Sequence, residues 1–213
     1  EFKPESDHLP WALVPDRKVA VEDVKYLLSA HYQGTDYDPY TNRNTGKRGM
    51  YRSIGINRTG VTAICQIRSK GPKAIRGIEW ISFGSTTYGP FVPLYANVSK
   101  IPAYFSDVST DVSTNNLYWS SRLIDALADS AYSDCIQQIG RYRDAVLIRG
   151  RQLLIEYDRK LKEAETDAEA EKLAEEANDR LCTMARECTV DTLNKVLLEA
   201  SKHMKNGFRL SDN

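Results

Sequence analysis

A regular spacing of apolar residues predicts a first helix over about Val19–Ala30. Its apolar residues recur at the three- and four-residue intervals of one helical face, at Val21, Val24, Leu27 and Leu28. Gly34 follows as a typical stop signal, so His31 is expected at the C-terminal end of this helix. A cationic imidazole is favoured at that end of the helix dipole. The simpler interpretation of His31 is a side chain that packs at the helix end.

An alternation of apolar and polar residues predicts strands after this helix. We expect three of them, at about Arg52–Asn57, Val61–Arg68 and Ile75–Phe83. The short connector Arg58–Gly60 contains a glycine and is expected to join the first two strands as a hairpin. A Gly-Pro pair separates the second strand from the third. The sequence therefore predicts an antiparallel sheet, with Cys65 in the core.

Two segments rich in glycine and proline predict irregular structure. Residues 33–49 are interpreted as a long surface loop, and loops carried by a rigid sheet commonly hold binding residues. Residues 84–113 combine Gly, Pro, Ser and Thr with scattered aromatic residues. We expect this second segment to be coil that packs on the sheet through its aromatic rings.

The remainder of the chain has the pattern of helices. One helix is expected to begin near Thr114, which is a suitable N-cap. Two long, highly charged helices follow, at about residues 131–165 and 167–205, with a break at Thr166 and an end at Asn206-Gly207. The apolar stripe of the last helix is narrow and rich in alanine, which is typical of close antiparallel packing. A helix that binds a partner protein would share this pattern.

These elements together predict an α+β fold in two parts: a domain over residues 1–130 and a helical hairpin extension over residues 131–213. The 213-residue chain is 41% hydrophobic and 27% charged, which is the composition of an ordinary globular protein. Lys and Arg total 29, the same as Asp and Glu, so no net charge attracts nucleic acid or a membrane. No apolar run approaches the ~20 residues of a membrane span. We therefore expect neither nucleic acid nor a membrane as a partner.

The cysteine and histidine spacings indicate no metal site. The four cysteines lie in strand-like or helical patterns without the spacing of metal ligands, at Cys65, Cys135, Cys182 and Cys188. The three histidines are too scattered along the chain to suggest a metal centre. We expect buried free thiols in preference to disulfides, and no cofactor.

One stretch departs from the even distribution of charge. Between Pro39 and Ile78 the chain holds nine Lys or Arg residues and no Asp or Glu. A segment of this kind is suited to meet a negatively charged partner. A small carboxylate and an anionic polymer both fit the pattern.

Several separated motifs resemble one family, the cysteine-type dipeptidases of the N-terminal-nucleophile (Ntn) hydrolases. The resemblance covers about residues 8–130. The helical tail resembles the family only in its general character. It rests on motifs in the right order: His31-Tyr32-Gln33-Gly34-Thr35, Tyr37-Asp38, Gly55-Ile56-Asn57-Arg58, Gln66-Ile67-Arg68, Trp80 to Gly84, Pro93 to Val98 and Tyr118-Trp119.

The resemblance implies an αββα sandwich and a cysteine nucleophile. In the family the first mature residue is a cysteine, whose thiolate attacks the peptide carbonyl while its own α-amine transfers the proton. Here residue 1 is Glu1, and the first cysteine is Cys65. We therefore expect this chain to be the carboxyl-terminal portion of a dipeptidase, inactive alone, with the missing N-terminal half as its partner. A homo-oligomer is also possible in this interpretation.

The resemblance also indicates site residues. Arg58 and Asn57 match the Gly-Ile-Asn-Arg motif and are the catalytic candidates, for binding a carboxylate or supporting an oxyanion. The substrate-binding candidates are His31, Tyr32, Gln33 and Thr35. The acid-free basic stretch fits a dipeptide substrate, because a dipeptide presents a free carboxylate. Each of these residues also has a structural interpretation, as a turn, a hairpin cap or a pinned helix end.

Two other functions remain open from the sequence. An Ntn amidase acting on a different amide, such as an acylated amino acid, would share these motifs. A non-enzymatic helical interaction module is suggested by residues 131–205 taken alone.

Overall fold

The computed structural model describes residues 6–205 and has an α+β fold. None of the helices within those residues combines the length and the hydrophobicity that crossing a membrane requires. A short 3-10 turn at Lys73–Ile75 precedes the second strand. In chain order the elements are α1 (Val21–Leu28), β1 (Val61–Ile67), β2 (Gly77–Phe83), β3 (Val92–Tyr95), α2 (Ala103–Ser106), α3 (Leu117–Ser130), α4 (Tyr132–Lys162) and α5 (Asp167–Ser201).

The three strands form one antiparallel sheet in the order β1-β2-β3. β1 and β2 pair along their full length, with Val61 opposite Phe83 and Ile67 opposite Gly77. β3 pairs with the other side of β2, with Tyr95 opposite Ile78. The strands expected near Val61–Arg68 and Ile75–Phe83 and their antiparallel pairing are confirmed.

The strand expected over Arg52–Asn57 is wrong, because this segment is irregular. The Gly55 N–H donates to the Ala30 carbonyl at 2.9 Å, at the end of α1, and not to a neighbouring strand. Arg58–Gly60 therefore leads from a loop into β1 and is not a hairpin turn.

The coil expected over residues 84–113 is wrong in part, because it contains β3 and α2. All four residues of β3 are buried. A half-exposed strand is recognised by alternating apolar and polar residues, and β3 does not have that pattern. The helix expected from Thr114 begins at Leu117, where the Asn116 side chain accepts a 2.9 Å hydrogen bond from the Trp119 N–H. An asparagine in this position satisfies a backbone donor that the first helical turn leaves without a partner.

The prediction that Cys65 lies in the core is wrong. Val61, Ala63, Cys65 and Ile67 form the exposed face of β1, and Ile67 is 87% exposed. The opposite face turns inward, where Gln66 accepts a 3.0 Å hydrogen bond from the Trp80 indole. All four cysteines are free, as expected, with Cys135 and Cys188 buried. A period of two defines two faces of a strand but not which face meets the core.

The expected pair of long helices is confirmed, with the Thr166 side chain capping α5 by accepting from the Glu169 N–H at 3.2 Å. The two helices run antiparallel, since the Tyr142 hydroxyl bonds Thr189 and the Tyr157 hydroxyl donates to Glu176, each at 2.7 Å. α5 ends at Ser201, short of the expected residue 205. The stop predicted at Asn206-Gly207 lies outside the described residues. The division at residue 130 stays a prediction.

The helical hairpin of α4 and α5 covers the β3 edge of the sheet. The Asn178 side chain in α5 accepts from the Tyr95 N–H at 2.8 Å and donates to the Tyr95 carbonyl at 3.0 Å. The amide thus takes the place of a fourth strand beside β3. Gly150 in α4 allows close approach, because a Cβ there would lie 3.0 Å from Pro93. On the other edge, no strand among the described residues pairs with β1.

Candidate functional site

Backbone contacts bring the separated motifs together at the end of α1. Gly55 is buried there, and a Cβ on it would lie 2.8 Å from the Ser29 carbonyl oxygen and 2.7 Å from the Thr87 hydroxyl. The Thr86 hydroxyl donates to the Leu28 carbonyl at 2.6 Å. The helix end, the loop around Gly55 and the segment after β2 therefore meet at one place. A larger residue at Gly55 has no room without moving backbone.

His31 is part of this junction and is only 6% exposed. Its Nδ1 lies 3.2 Å from an Asp38 carboxylate oxygen, and its Nε2 lies 3.4 Å from the Tyr132 hydroxyl. The rings of Tyr40 and Tyr132 meet the imidazole edge-on, with centroids 5.4 and 6.0 Å away. These contacts anchor the start of the loop to α4, which matches the packed-histidine interpretation.

Tyrosine hydroxyls anchor the same loop further along. The Tyr40 hydroxyl donates to Asp129 at 2.8 Å, the Tyr88 hydroxyl lies 2.7 Å from that of Tyr40, and the Tyr40 ring stacks on Tyr132 at 3.9 Å. Burial, with the Asp129 charge nearby, raises the pKa of Tyr40 to about 12. Burial raises the pKa of Tyr88 further above its ordinary value. Both hydroxyls remain protonated donors at neutral pH.

The other substrate-binding candidates shape the loop itself. Gln33 accepts from the His31 N–H at 2.9 Å, and the Thr35 hydroxyl donates to the Tyr32 carbonyl at 2.7 Å. Tyr32 has a positive φ of 62°, in the left-handed region that side chains rarely adopt. Its ring lies 6.2 Å from Tyr37 and 6.4 Å from Tyr51, in a half-buried aromatic group. The polar side chains of Gln33 and Thr35 are thus engaged with local backbone.

Asn57 and Arg58 are both exposed at the entry to β1. The Asn57 carbonyl accepts a 2.7 Å hydrogen bond from Arg122 of α3. Within residues 6–205, the Arg58 guanidinium has no carboxylate at ion-pair distance and no side-chain hydrogen bond. A guanidinium without a protein partner is available to bind a carboxylate through two parallel hydrogen bonds. Arg122 was missed by the sequence analysis, because no local pattern connects it to Asn57.

Asp125 is a second residue that the sequence did not indicate. It is 4% exposed, and its Oδ2 accepts a 2.7 Å hydrogen bond from the Ser85 N–H. Its Oδ1 has no partner among the described residues. Burial raises the pKa of Asp125 to about 7, although the Ser85 hydrogen bond and the Arg122 charge lower it. Gly84 has a φ of +74°, and a Cβ there would overlap the carboxylate.

Part of the positive charge of the acid-free basic stretch is paired with carboxylates. Arg68 donates to Asp158 at 2.5 and 3.0 Å, and Arg43 lies 3.4 Å from Asp36. Both carboxylates come from outside the stretch. The cationic surface is therefore narrower than the sequence pattern indicates, with Arg58 at one end of β1.

Known proteins resemble this chain in sequence. Residues 1–145 match Peptidase family C69. A protein named dipeptidase from Bifidobacterium longum (strain NCC 2705) is 35% identical over 250 residues, which cover 100% of this chain and 47% of the relative. A protein named probable dipeptidase A from Streptococcus pyogenes serotype M18 (strain MGAS8232) is 41% identical over 210 residues, which cover 98% of this chain and 43% of the relative. Dipeptidase A of Lactobacillus helveticus is 28% identical over 210 residues, which cover 98% of this chain and 44% of the relative.

The chain spans 43 to 47% of the length of these curated relatives. The family match extends over residues 1–145, which is more than half of the 213 residues. It includes α1, the three strands, α3 and the start of α4 with Tyr132, and therefore the residues described above at the site. This chain belongs to peptidase family C69.

Proposed function

We propose that this chain is the carboxyl-terminal part of a cysteine-type dipeptidase. The observation that carries the proposal is similarity over 98 to 100% of the chain to relatives named dipeptidase. In this proposal the nucleophile is a cysteine at the N-terminus of the mature enzyme, outside these 213 residues. Its α-amine serves as the base, because a free amine has a pKa near 8 and lies beside the thiol. The chain alone is then inactive.

The contribution of this chain is to hold and orient the substrate. Arg58 is assigned to the free carboxylate of the dipeptide, and its exposed guanidinium, which has no partner within residues 6–205, supports that role. Asn57 is assigned to the oxyanion that forms when the thiolate attacks. Arg122, bonded to the Asn57 carbonyl, holds this turn in place. The loop that begins at His31 forms the neighbouring wall, with Tyr32 as its aromatic surface.

The remaining half of the polypeptide is assigned to the exposed side of β1. Two observations support this placement: the β1 edge is unpaired among the described residues, and Val61, Ala63 and Ile67 form an apolar exposed face. A second sheet packed there would complete an αββα sandwich. Cys65 lies on the same face and serves in packing, not in catalysis, in this proposal.

The test is dipeptide turnover by the full-length enzyme carrying Arg58→Lys. We expect the fold to persist and catalytic efficiency to fall by a factor of about 30–1000, because an ammonium cannot reproduce the planar fork. Arg52→Lys, an exposed arginine of the same stretch, is the matched control and should retain activity. Melting temperatures of the three proteins separate a catalytic effect from a loss of structure.

Two outcomes contradict the proposal. Equal turnover by wild type and Arg58→Lys removes Arg58 from the site. Dipeptide hydrolysis by the purified 213-residue chain that disappears in Cys65→Ser would make Cys65 the nucleophile. N-acylated amino acids assayed beside dipeptides distinguish a dipeptidase from an amidase of the same class.

A further inference from the structure

A separate cavity of about 250 Å³ opens between α1, α4 and the segment before β3. It includes none of the residues assigned above to dipeptide binding. Tyr26, Pro90, Phe91 and Leu147 supply apolar wall, while Lys25 and Arg143 bring positive charge to it. A small pocket with apolar walls and a few polar groups is the usual form of a ligand site.

Lys25 is the unusual group in this cavity. The residue is 8% exposed, and its Nζ lies 3.8 Å from the centroid of the buried Trp80 ring. Within residues 6–205, the Lys25 ammonium makes no hydrogen bond and has no carboxylate at ion-pair distance. The aromatic face offsets only part of the cost of removing an ammonium from water. The three N–H donors of Lys25 therefore have no acceptor among the described residues, and they lie at the wall of a cavity.

The two acidic residues that line the cavity, Glu22 and Asp144, make no ion pair with Lys25. Glu22 is held by Arg151, whose Nε donates to it at 3.0 Å and whose Nη2 also bonds it. Among the described residues, the one hydrogen-bond acceptor of Arg143 is the Thr87 carbonyl, at 3.4 Å. With Lys25 protonated, the two cations that line the cavity, Lys25 and Arg143, equal its two carboxylates, and Arg151 adds one positive charge beside it through its bond to Glu22. Burial lowers the pKa of Lys25 to about 7, with Glu22 raising it and the two arginines lowering it further.

We propose that this cavity binds a small organic monocarboxylate, with its carboxylate between Lys25 and Arg143 and its apolar body against Phe91 and Leu147. A carboxylate supplies the acceptors that the Lys25 ammonium lacks, and it neutralises the excess positive charge. A monoanion is preferred over a phosphate dianion, because Glu22 and Asp144 also line the cavity. The site is independent of dipeptide hydrolysis.

The first test is titration of the purified 213-residue chain with benzoate and, separately, with benzamide, its neutral isostere. We expect saturable benzoate binding that weakens by at least about tenfold in Lys25→Met, since one charge-assisted contact is lost. Lys18→Met, at an exposed lysine near α1, should bind benzoate as the wild type does. Binding of benzamide as tight as that of benzoate, or undiminished binding by Lys25→Met, overturns the proposal.

A second measurement uses the wild-type chain, so it does not depend on the folding of a variant. Reductive ¹³C-methylation of the lysines allows the Lys25 amine to be followed by NMR across pH, and a bound carboxylate stabilises its charged form. We expect the Lys25 pKa to rise on saturation with benzoate and to stay unchanged with benzamide. A Lys25 pKa that benzoate leaves in place overturns the proposal, whatever the binding isotherms show.

Discussion

At the scale of single residues, burial is the main influence on the protonation of Asp125. The carboxyl is held by one backbone hydrogen bond to Ser85, while its Oδ1 has no partner among the described residues. Removal from water penalises the charged form, and the pKa of Asp125 rises to about 7. The folded protein therefore keeps a proton there that the unfolded chain releases near pH 4. Stability should fall as pH rises between these two values and level off above the folded pKa.

Asp125→Asn should remove this pH dependence. The amide oxygen keeps the Ser85 contact and carries no charge, so the variant should be more stable than wild type at pH 8. A shift of about three pKa units sets a ceiling of about 4 kcal/mol on the gain. The measurement is urea unfolding at pH 5 and pH 8, with Asp111→Asn, at an exposed aspartate, as control. Parallel pH dependence in wild type and Asp125→Asn would contradict the assignment.

At the scale of elements, β3 depends on a side chain in a helix. The strand is four residues long, and its outer edge is closed by Asn178 of α5 through two hydrogen bonds to Tyr95. The Tyr95 hydroxyl reaches the other helix of the hairpin, where it donates to Asp158 at 2.7 Å. β3 is thus held between β2 and the hairpin, and it links the helices to the sheet.

Asn178→Leu tests this coupling. The variant keeps a similar volume but leaves the buried N–H and carbonyl of Tyr95 without partners, at a cost of about 2–4 kcal/mol in the free energy of unfolding. Asn194→Leu, at an exposed position of the same helix, is the matched control and should change stability little. Denaturant unfolding of the three proteins gives the comparison. Equal losses in both variants would show that the Asn178 amide has no special role.

At the scale of the whole molecule, the two edges of the sheet differ. Asn178 and the hairpin cover the β3 edge, whereas β1 has an unpaired edge and an apolar exposed face within the described residues. Exposed strands of this kind readily pair with other chains, so natural proteins usually protect them. The proposed second half of the dipeptidase would give β1 that protection. Family membership and the relatives' greater length are consistent with such a neighbour.

Ile67→Lys distinguishes a free face from a covered one. In the 213-residue chain the substitution should change stability by less than about 0.5 kcal/mol and reduce self-association, because Ile67 is 87% exposed. In the full-length enzyme the same change should destabilise by about 2–4 kcal/mol, because it would bury an unpaired charge. Thermal unfolding and light scattering of both forms provide the measurements. Equal small effects in both forms would leave β1 at a free surface.

The sequence by itself determined those elements whose signals are local. Apolar residues at helical spacing indicated α1, α4 and α5, and Thr166 caps α5 as expected. Alternation indicated β1 and β2 and their antiparallel pairing. The motifs of residues 31–119 indicate the family without any geometry. Each of these signals depends on a residue and its near neighbours, which is why a sequence reveals it.

Only the tertiary structure decided how distant segments meet. The Gly55 N–H donates to the Ala30 carbonyl at the end of α1, so the segment Arg52–Asn57 is a loop and not the expected strand. β1 turns Gln66 inward and Cys65 outward, which an alternating pattern leaves undetermined. Arg122 reaches Asn57 across 65 residues of sequence, and Asp125 reaches Ser85 across 40. Burial by such distant contacts raises the pKa of Asp125 and shields the Lys25 ammonium, which has no partner within residues 6–205, from water. No local pattern encodes either effect.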